Sequence, residues 1–564
     1  MKKAKFLKSA GAIAMSLIMI LGMLGMLGAC GGGGGGGGGG NTTAASTDAT
    51  TAAAATTTAA AATEPAATQA QNDAQADAPP AELPFMEMSF YTHMGDGLDR
   101  QMVLDKVNEY FLEKLNLKLN YVHMDDTAVQ RLGVQMAAGE DCGLIGFGGS
   151  NYVRLAGLGY YYPMDDLLDK YAPEVKKLFT ANIWDSMRID GKIYGIPTKK
   201  DNCYIIPLLY NVDLADELGI DIPSIKFKSP MQMESLMVEG KAKRDELHPE
   251  WASYPFLDVM ALESPGFYAI ETFLGWLNFI AVCNIDGVMD IKGYDSSQIF
   301  NLYETPEYLD LCKFMQRMTE QNIFIYDRDN NAEKVNNWVE EGVLLGQHSW
   351  GLVWISEHFM SNNYVSDILL PEMVWTDTGN FQGIGWAISA KSADPDRAMM
   401  ALNLFNTDPY LATLVRFGIE GEHYLRDANG KMVLEGSPRN SDPANYGFVN
   451  WYGPWLGNLL IVETPESFGG PDNIMLKRID DYNNSALIPS HMGFVLDQEP
   501  IQNELAACDN VINEYGKVLR EGMMESEQHV VETVDAFINK LRANGSEKIV
   551  AEVQRQADAF KQNK

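Results

Sequence analysis

The sequence predicts an α/β body built on a largely parallel sheet and followed by C-terminal helices. Strand-like runs and helical stripes alternate between Glu87 and Phe147, which is the pattern of β-α-β units. From Ile501 onward, apolar residues recur in steps of four and three, which is a helical stripe.

The chain opens with Lys2, Lys3, Lys5 and Lys8 ahead of an uncharged apolar run from Ala10 to Ala29, the pattern of a secretory leader. The run ends Leu27-Gly28-Ala29-Cys30, which resembles the lipobox of bacterial lipoproteins and makes Cys30 the lipidated residue. The competing reading is an uncleaved membrane helix, because the run approaches the ~20 residues that span a bilayer. Ten glycines, Gly31 to Gly40, favour the lipoprotein, since they cannot continue a helix and give a flexible tether. An Ala- and Thr-rich stretch with Pro65, Pro79 and Pro80 extends this spacer. The expected organisation is a leader over 1–29 and a tether over 30–84. The expected location is outside the cell, lipid-anchored at the outer face of the cytoplasmic membrane.

With 43 basic and 76 acidic side chains the net charge is −33, which argues against nucleic acid as a partner. At 46% hydrophobic and 10% aromatic residues the chain can bury large cores. Cys142, Cys203, Cys283, Cys312 and Cys508 form an odd set without a CxxC pair, which reads as small buried residues. No metal site is expected: the eight histidines lack HExxH spacing. The run Asp327-Arg328-Asp329-Asn330-Asn331 imitates a calcium loop only briefly, with Ala332 for the glycine and Trp338 for the bidentate acid. No cofactor is expected either.

The body begins with a strand at Glu87 to Tyr91 and a helix carrying Leu104, Val107, Phe111 and Leu115. A strand at Leu117 to His123, a helix around Val129 to Ala138 and a strand at Gly143 to Phe147 complete the alternation. In such a sheet the loops after the strands, here Thr92-His93-Met94 and Gly148-Gly149-Ser150, converge on a crevice that binds small molecules. Gly148 to Tyr152 is not a hydrolase nucleophile elbow, because Tyr152 stands where glycine is needed. Glu263-Ser264-Pro265 reads as a turn into a helix bearing Phe273 and Trp276.

Asp190-Gly191-Lys192-Ile193-Tyr194-Gly195-Ile196-Pro197, then Tyr210-Asn211-Val212-Asp213-Leu214 and Glu217-Leu218-Gly219-Ile220, closely resemble the family 1 extracellular solute-binding proteins of ABC importers, which include the maltose-binding proteins. Val339 to Gly342 leading to Ser349-Trp350-Gly351, the strand Gly383 to Ser389 and the capped start Asp394-Pro395 extend the resemblance. Gly418 to Tyr424 and Asp427 to Lys431 resemble a subgroup of large lipoproteins that ends in a C-terminal domain of unknown function. The resemblance implies a periplasmic-binding-protein-like type II fold, with two α/β lobes, a hinge and a ligand cleft, plus C-terminal helices. It divides the body into 85–203 and 379–412 as lobe one and 204–378 as lobe two. Residues 413–498 become a lobe-two or hinge segment, and 499–564 a C-terminal helical segment.

The implied activity is capture, without catalytic residues, of a carbohydrate or oligosaccharide that is delivered to ABC transporter permease subunits by a monomer. Candidate ligand contacts are His93, Ser150 and Asn151 after the first and third strands, and Lys200, Asp201 and Asn202 at the expected crossover between lobes. Tyr268, Ser349, Trp350, Gln382, Trp386 and Trp451 are candidates as aromatic or polar groups in stretches expected to reach the cleft. Glu422 and His423 complete the set as cleft or hinge residues. For each tryptophan, core packing is at least as good a reading. Two further readings stand beside capture. One is a secreted glycoside hydrolase using acid pairs such as Asp125-Asp126, Asp165-Asp166, Glu340-Glu341 or Asp480-Asp481. The other is a sensor subunit that presents its ligand to a receptor.

Overall fold

The computed structural model describes residues 83–92, 99–123, 128–148, 151–204, 207–225, 230–259, 270–274, 278–286, 291–325, 327–331, 334–335, 337–338, 341–348, 364–368, 374–439, 456–465 and 474–563. The leader, Cys30 and the tether lie outside them. No helix among the described residues is long and apolar enough to cross a membrane.

Two sheets organise the body. The first contains β1 (Met86–Thr92), β2 (Leu117–His123), β3 (Leu144–Gly148), the two-residue β4 (Ile196–Pro197) and, far along the chain, a returning strand at Ile384–Ile388. The second contains β5 (Pro207–Asn211), β6 (Leu257–Val259), β7 (Gly346–His348) and β8 (Tyr364–Ile368), so the returning strand is β9. The first sheet runs β2-β1-β3-β9-β4, with β1 parallel to β2 and β3 and with β9 antiparallel to β3 and β4. The second runs β8-β5-β7-β6.

Each sheet owns a core. On the first, α1 (Arg100–Leu115) buries Val103, Leu104, Val107 and Phe111, and α2 (Ala128–Ala138) and α3 (Asn151–Gly157) follow their strands. Asn108 fixes α1 to β2 from both sides, donating to the Leu119 carbonyl at 3.0 Å and accepting from its amide at 2.7 Å. Asp190 and Gly191, both at positive φ, turn the short hairpin between Arg188–Ile189 and Lys192–Ile193. The second core gathers α4 (Val212–Leu218), α5 (Glu234–Leu247) and α6 (Pro306–Glu320). Three helices of the returning segment belong to the first lobe or its border: α7 (Thr378–Gln382), α8 (Pro395–Thr407), whose Asp394 cap accepts from the Arg397 amide at 2.9 Å, and α9 (Pro409–Phe417).

After α10 (Ile474–Ser485) come α11 (Gln502–Arg520), α12 (Glu527–Ala543) and α13 (Ser546–Asn563). These last three are not an appendage: Leu505, Cys508, Leu519, Val530, Phe537, Leu541 and Val553 are buried in the same core as the second sheet. Arg317 of α6 holds Glu234 of α5 and Glu527 of α12 at 2.8 and 3.0 Å, tying old and new parts of that lobe.

Two sequence expectations need correction. Ile270–Thr272 is a strand paired antiparallel with Val282–Asn284, so no helix runs through Phe273; the β-branched Ile270 and Thr272 favour the strand. Within 413–498, Leu414, Val415, Leu456 and Met492 pack into the first core, so this segment is not confined to the second lobe or hinge.

Candidate functional site

The sheet register brings strand ends and lobe crossings to one edge. Gly148, the last residue of β3, faces Ile384, the first of β9, and the Thr198 amide donates to the Ile384 carbonyl at 3.2 Å. The C-terminal end of β3 therefore lies where β4 leaves the sheet and β9 enters it. On the second sheet, His348 faces Leu208, Val259 faces His348 and Ile368 faces Pro207. The ends of β6, β7 and β8 thus gather where β5 arrives from the first lobe. Ligands of open α/β sheets bind outside such carboxyl ends.

Among the described residues, three segments join the lobes there. Tyr204 on the first pairs with Trp375 on the second, amide to carbonyl at 2.6 Å one way and 3.4 Å the other. Thr376 donates to the Leu487 carbonyl and Leu487 to that of Val374, both at 3.0 Å, so the third segment joins the same ribbon. Side chains lock it. Asn202 donates to the carbonyls of Thr198 and Asn380, and its amide donates to Asn483 Oδ1 at 2.8 Å. Asn483 in turn donates to the Lys200 carbonyl at 2.6 Å, and Lys199 pairs with Asp480 at 2.9 Å. A short ribbon with few crossing strands can twist while each lobe keeps its core, which is a hinge.

Of the sequence candidates, His93, Ser150, Tyr268, Ser349, Trp350 and Trp451 lie outside the described residues. Lys200, Asp201 and Asn202 are together at the first crossing, but the last two are buried: Asp201 pairs with Lys200 at 3.2 Å, and the Asn202 amide is spent on backbone. They build the hinge. Trp386 is core, stacked on Phe90 with centroids 4.8 Å apart, because β9 lies inside a sheet covered on both faces. Gln382 is buried too, donating to the Ser186 carbonyl at 2.7 Å. Asn151 heads α3 beside the end of β3 and accepts from Arg154 at 2.7 Å.

Glu422 and His423, expected in the cleft or the hinge, join a network with Asp99 and Arg439, the two members that sequence reasoning missed. Arg439 donates to Glu422 at 2.9 Å and to the buried Asp99, at the start of α1, at 2.7 Å. His423 is fully buried; its Nδ1 accepts from the Ile419 amide at 3.0 Å, and its Nε2 lies 3.4 Å from Asp99. Burial pushes the His423 pKa down, against the pull of Asp99. The network binds segment 419–439 to the start of α1.

Also missed was Asp377, which caps α7 through the Asn380 amide at 2.9 Å and accepts from the Tyr204 hydroxyl at 3.0 Å. The signal was an Asp directly before a short helical stretch. No group of three or more potential metal-ligating side chains occurs among the described residues. Asp327 of the calcium-like run is instead paired with Lys517 at 2.9 Å.

Comparison with known proteins adds the following. A domain of unknown function, DUF3502, matches residues 490–562. A carbohydrate ABC transporter substrate-binding protein from Streptococcus pneumoniae serotype 4 is 23% identical over 499 residues, covering 86% of this chain and 92% of that protein. The crystal structure of the N-glycan transport solute binding protein NgtS from Streptococcus pneumoniae has TM-score 0.65 at 17% identity, over 85% of this chain and 99% of that one. Its complex with Man5GlcNAc has TM-score 0.57 at 18% identity, with the same coverage. An extracellular solute-binding protein from Bifidobacterium longum subsp. infantis has TM-score 0.56 at 14% identity, over 85% of this chain and 98% of that one. Two sheets bridged by a hinge give the chain the type II fold of these solute-binding proteins, with a match to DUF3502 at its C-terminal end.

Proposed function

We propose that this protein captures a carbohydrate or oligosaccharide between its lobes and hands it, chemically unaltered, to the permease of an ABC importer. The observation that carries the reading is the convergence of strand ends from both sheets on one three-segment hinge. A ligand held there touches both lobes, so its binding energy favours their approach, and closing excludes water from the polar contacts. The named relative and the glycan complexes of NgtS support a sugar as the ligand class. The segments that follow β1, β3, β6 and β7 are the proposed source of contacts, with His93, Ser150, Tyr268, Ser349 and Trp350 as candidates. Cys30 is the proposed lipid attachment point, holding the protein outside the membrane as a monomer.

Two acids of the hydrolase reading have other employment. Asp165 is held by Arg188 at 2.6 Å and by the Ile193 amide at 3.0 Å, and Asp480 by Lys199. Asp165 and Asp480 are thus engaged in ion pairs, which favours binding over hydrolysis.

A thermal-shift screen of neutral oligosaccharides, including mannose-GlcNAc glycans, with uronides and peptides for contrast, tests the reading. The expected result is a raised melting temperature with a neutral glycan, as for any ligand that binds only the native state, and quantitative recovery of that glycan intact. Stabilisation by peptides alone, or recovery of cleaved glycan, refutes it.

A further inference from the structure

The hinge ribbon encloses a buried group of ionisable side chains drawn from both lobes. Asp377, on the second crossing, carries its carboxylate between the α7 amides and the Tyr204 hydroxyl of the first crossing. Glu271, on the Ile270–Thr272 strand of the second lobe, accepts from or shares a proton with His491 Nδ1 at 3.0 Å, and both are buried. His491 follows the third crossing, and two residues on, the Gly493 amide donates to Thr378 Oγ1 at 2.8 Å, beside Asp377. Ser490 also reaches the His491 ring, at 3.2 Å.

Asp377 accepts from the Tyr204 hydroxyl of the first crossing and from the Asn380 amide of α7, and it feels the charge of Glu271 in the second lobe, which is bonded to His491. The amides and the hydroxyl stabilise the carboxylate, whereas burial and the Glu271 charge oppose it. Burial is the larger opposing effect, and together they push the Asp377 carboxyl up to about 6. Asp377 heads α7, whose Phe381 lies in the first core; Glu271 follows Ile270 of the second core and is bonded to His491, next to Met492 of the first. A rotation of the lobes changes their separation and the access of water to both.

We propose that the lobe angle is coupled to one proton at Asp377. With the proton on, the buried hinge cluster is relieved of like-charge repulsion and the arrangement seen here is favoured. With the proton off, the two carboxylates drive the crossing segments toward an arrangement that hydrates Asp377. The hinge then sets the lobe position together with the ligand, and ligand affinity depends on pH even for a neutral sugar. This inference rests on the reading that the two lobes move as units.

The test is small-angle X-ray scattering of the full chain without sugar, from pH 5 to 7.5 at constant ionic strength, for wild type and for Asp377→Asn and Glu271→Gln. Asn keeps the helix cap and can still accept from Tyr204, so the variant is expected to fold, which far-ultraviolet circular dichroism checks. The expected result is a change in radius of gyration with a midpoint near the Asp377 value of about 6, absent in Asp377→Asn and shifted to lower pH in Glu271→Gln. A wild-type radius that is constant over this range, or an Asp377→Asn protein that titrates like wild type, overturns the proposal. Adding a stabilising glycan at fixed pH separates the two readings. Compaction by sugar without a pH response rejects the proton coupling alone, and a pH response without any sugar effect rejects the carbohydrate reading alone.

Discussion

Truncating Phe537 to alanine asks whether the C-terminal helices are a module or part of the second lobe. Phe537 on α12 is fully buried, with its ring 4.9 Å from Tyr303 in an edge-on contact and 5.5 Å from Tyr515 in a stacked one. Tyr303 precedes α6, and Tyr515 lies on α11, so the ring sits at the junction between tail and lobe. A buried Phe→Ala change costs about 3–5 kcal/mol, including the lost aromatic contacts. Against a total of about 5–15 kcal/mol this leaves a weakened but folded protein, with the melting temperature lowered by roughly 6–20 °C. Asp535→Ala, on the exposed face two residues away, should stay within about 0.5 kcal/mol. Deleting 499–564 removes Ile501, Leu505, Cys508, Leu519, Phe537, Leu541 and Val553 from one core. At about 1.5–3 kcal/mol for a fully buried large side chain, that loss exceeds what a domain can spare. The assay is urea unfolding followed by circular dichroism and calorimetry. The reasoning is refuted if the truncated chain unfolds with the same cooperative transition as the full chain, or if Phe537→Ala shifts only a separate transition that leaves the second lobe untouched.

Three further outcomes follow from the packing and the hinge. Trp386→Ala should cost about 3–5 kcal/mol by urea unfolding, because the indole fills the first core, whereas glycan affinity of the milder Trp386→Phe, read by calorimetric titration, should match wild type. Asn202→Ala should cost about 1–3 kcal/mol, since the Thr198 and Asn380 carbonyls lose a buried donor, and hydrogen exchange at Thr376 and Leu487 should quicken if the ribbon loosens. The Asp377 carboxyl is raised from 3.8 to about 6, so the folded state holds its proton more tightly than the unfolded one. That contribution is complete below the unfolded value and is lost as pH rises through the folded one. Wild type should lose on the order of 3 kcal/mol more than Asp377→Asn between pH 3.5 and 7, and parallel curves for the two proteins would contradict this.

The first lobe was legible because its information is local. Leu104, Val107, Phe111 and Leu115 mark a helix face whatever they pack on, and Asp190-Gly191 can make its tight turn without help from distant residues. The region around Phe273 was misread because Ile270–Thr272 is too short to display a period of its own, and its strand character comes from pairing with Val282–Asn284. Trp386 was placed near the ligand on account of polar neighbours, but adjacent residues on a strand point to opposite faces, and here both faces are covered. The tail stripes were visible, yet a stripe does not name its partner: only the fold puts Phe537 against Tyr303. The hinge cluster was hidden for the same reason, since Tyr204 and Asp377 are 173 residues apart and Glu271 and His491 are 220 apart.

Two lobes that close on a sugar and release it unchanged change the shape of the chain but not the sugar. Small-angle scattering of the full chain with and without a saturating stabilising glycan, at one pH, followed by chromatography of the recovered glycan, tests this most directly. The expected result is a smaller radius of gyration with the glycan bound and a chromatogram identical to that of the input. An unchanged radius at demonstrated saturation, or shortened glycan in the eluate, would contradict it.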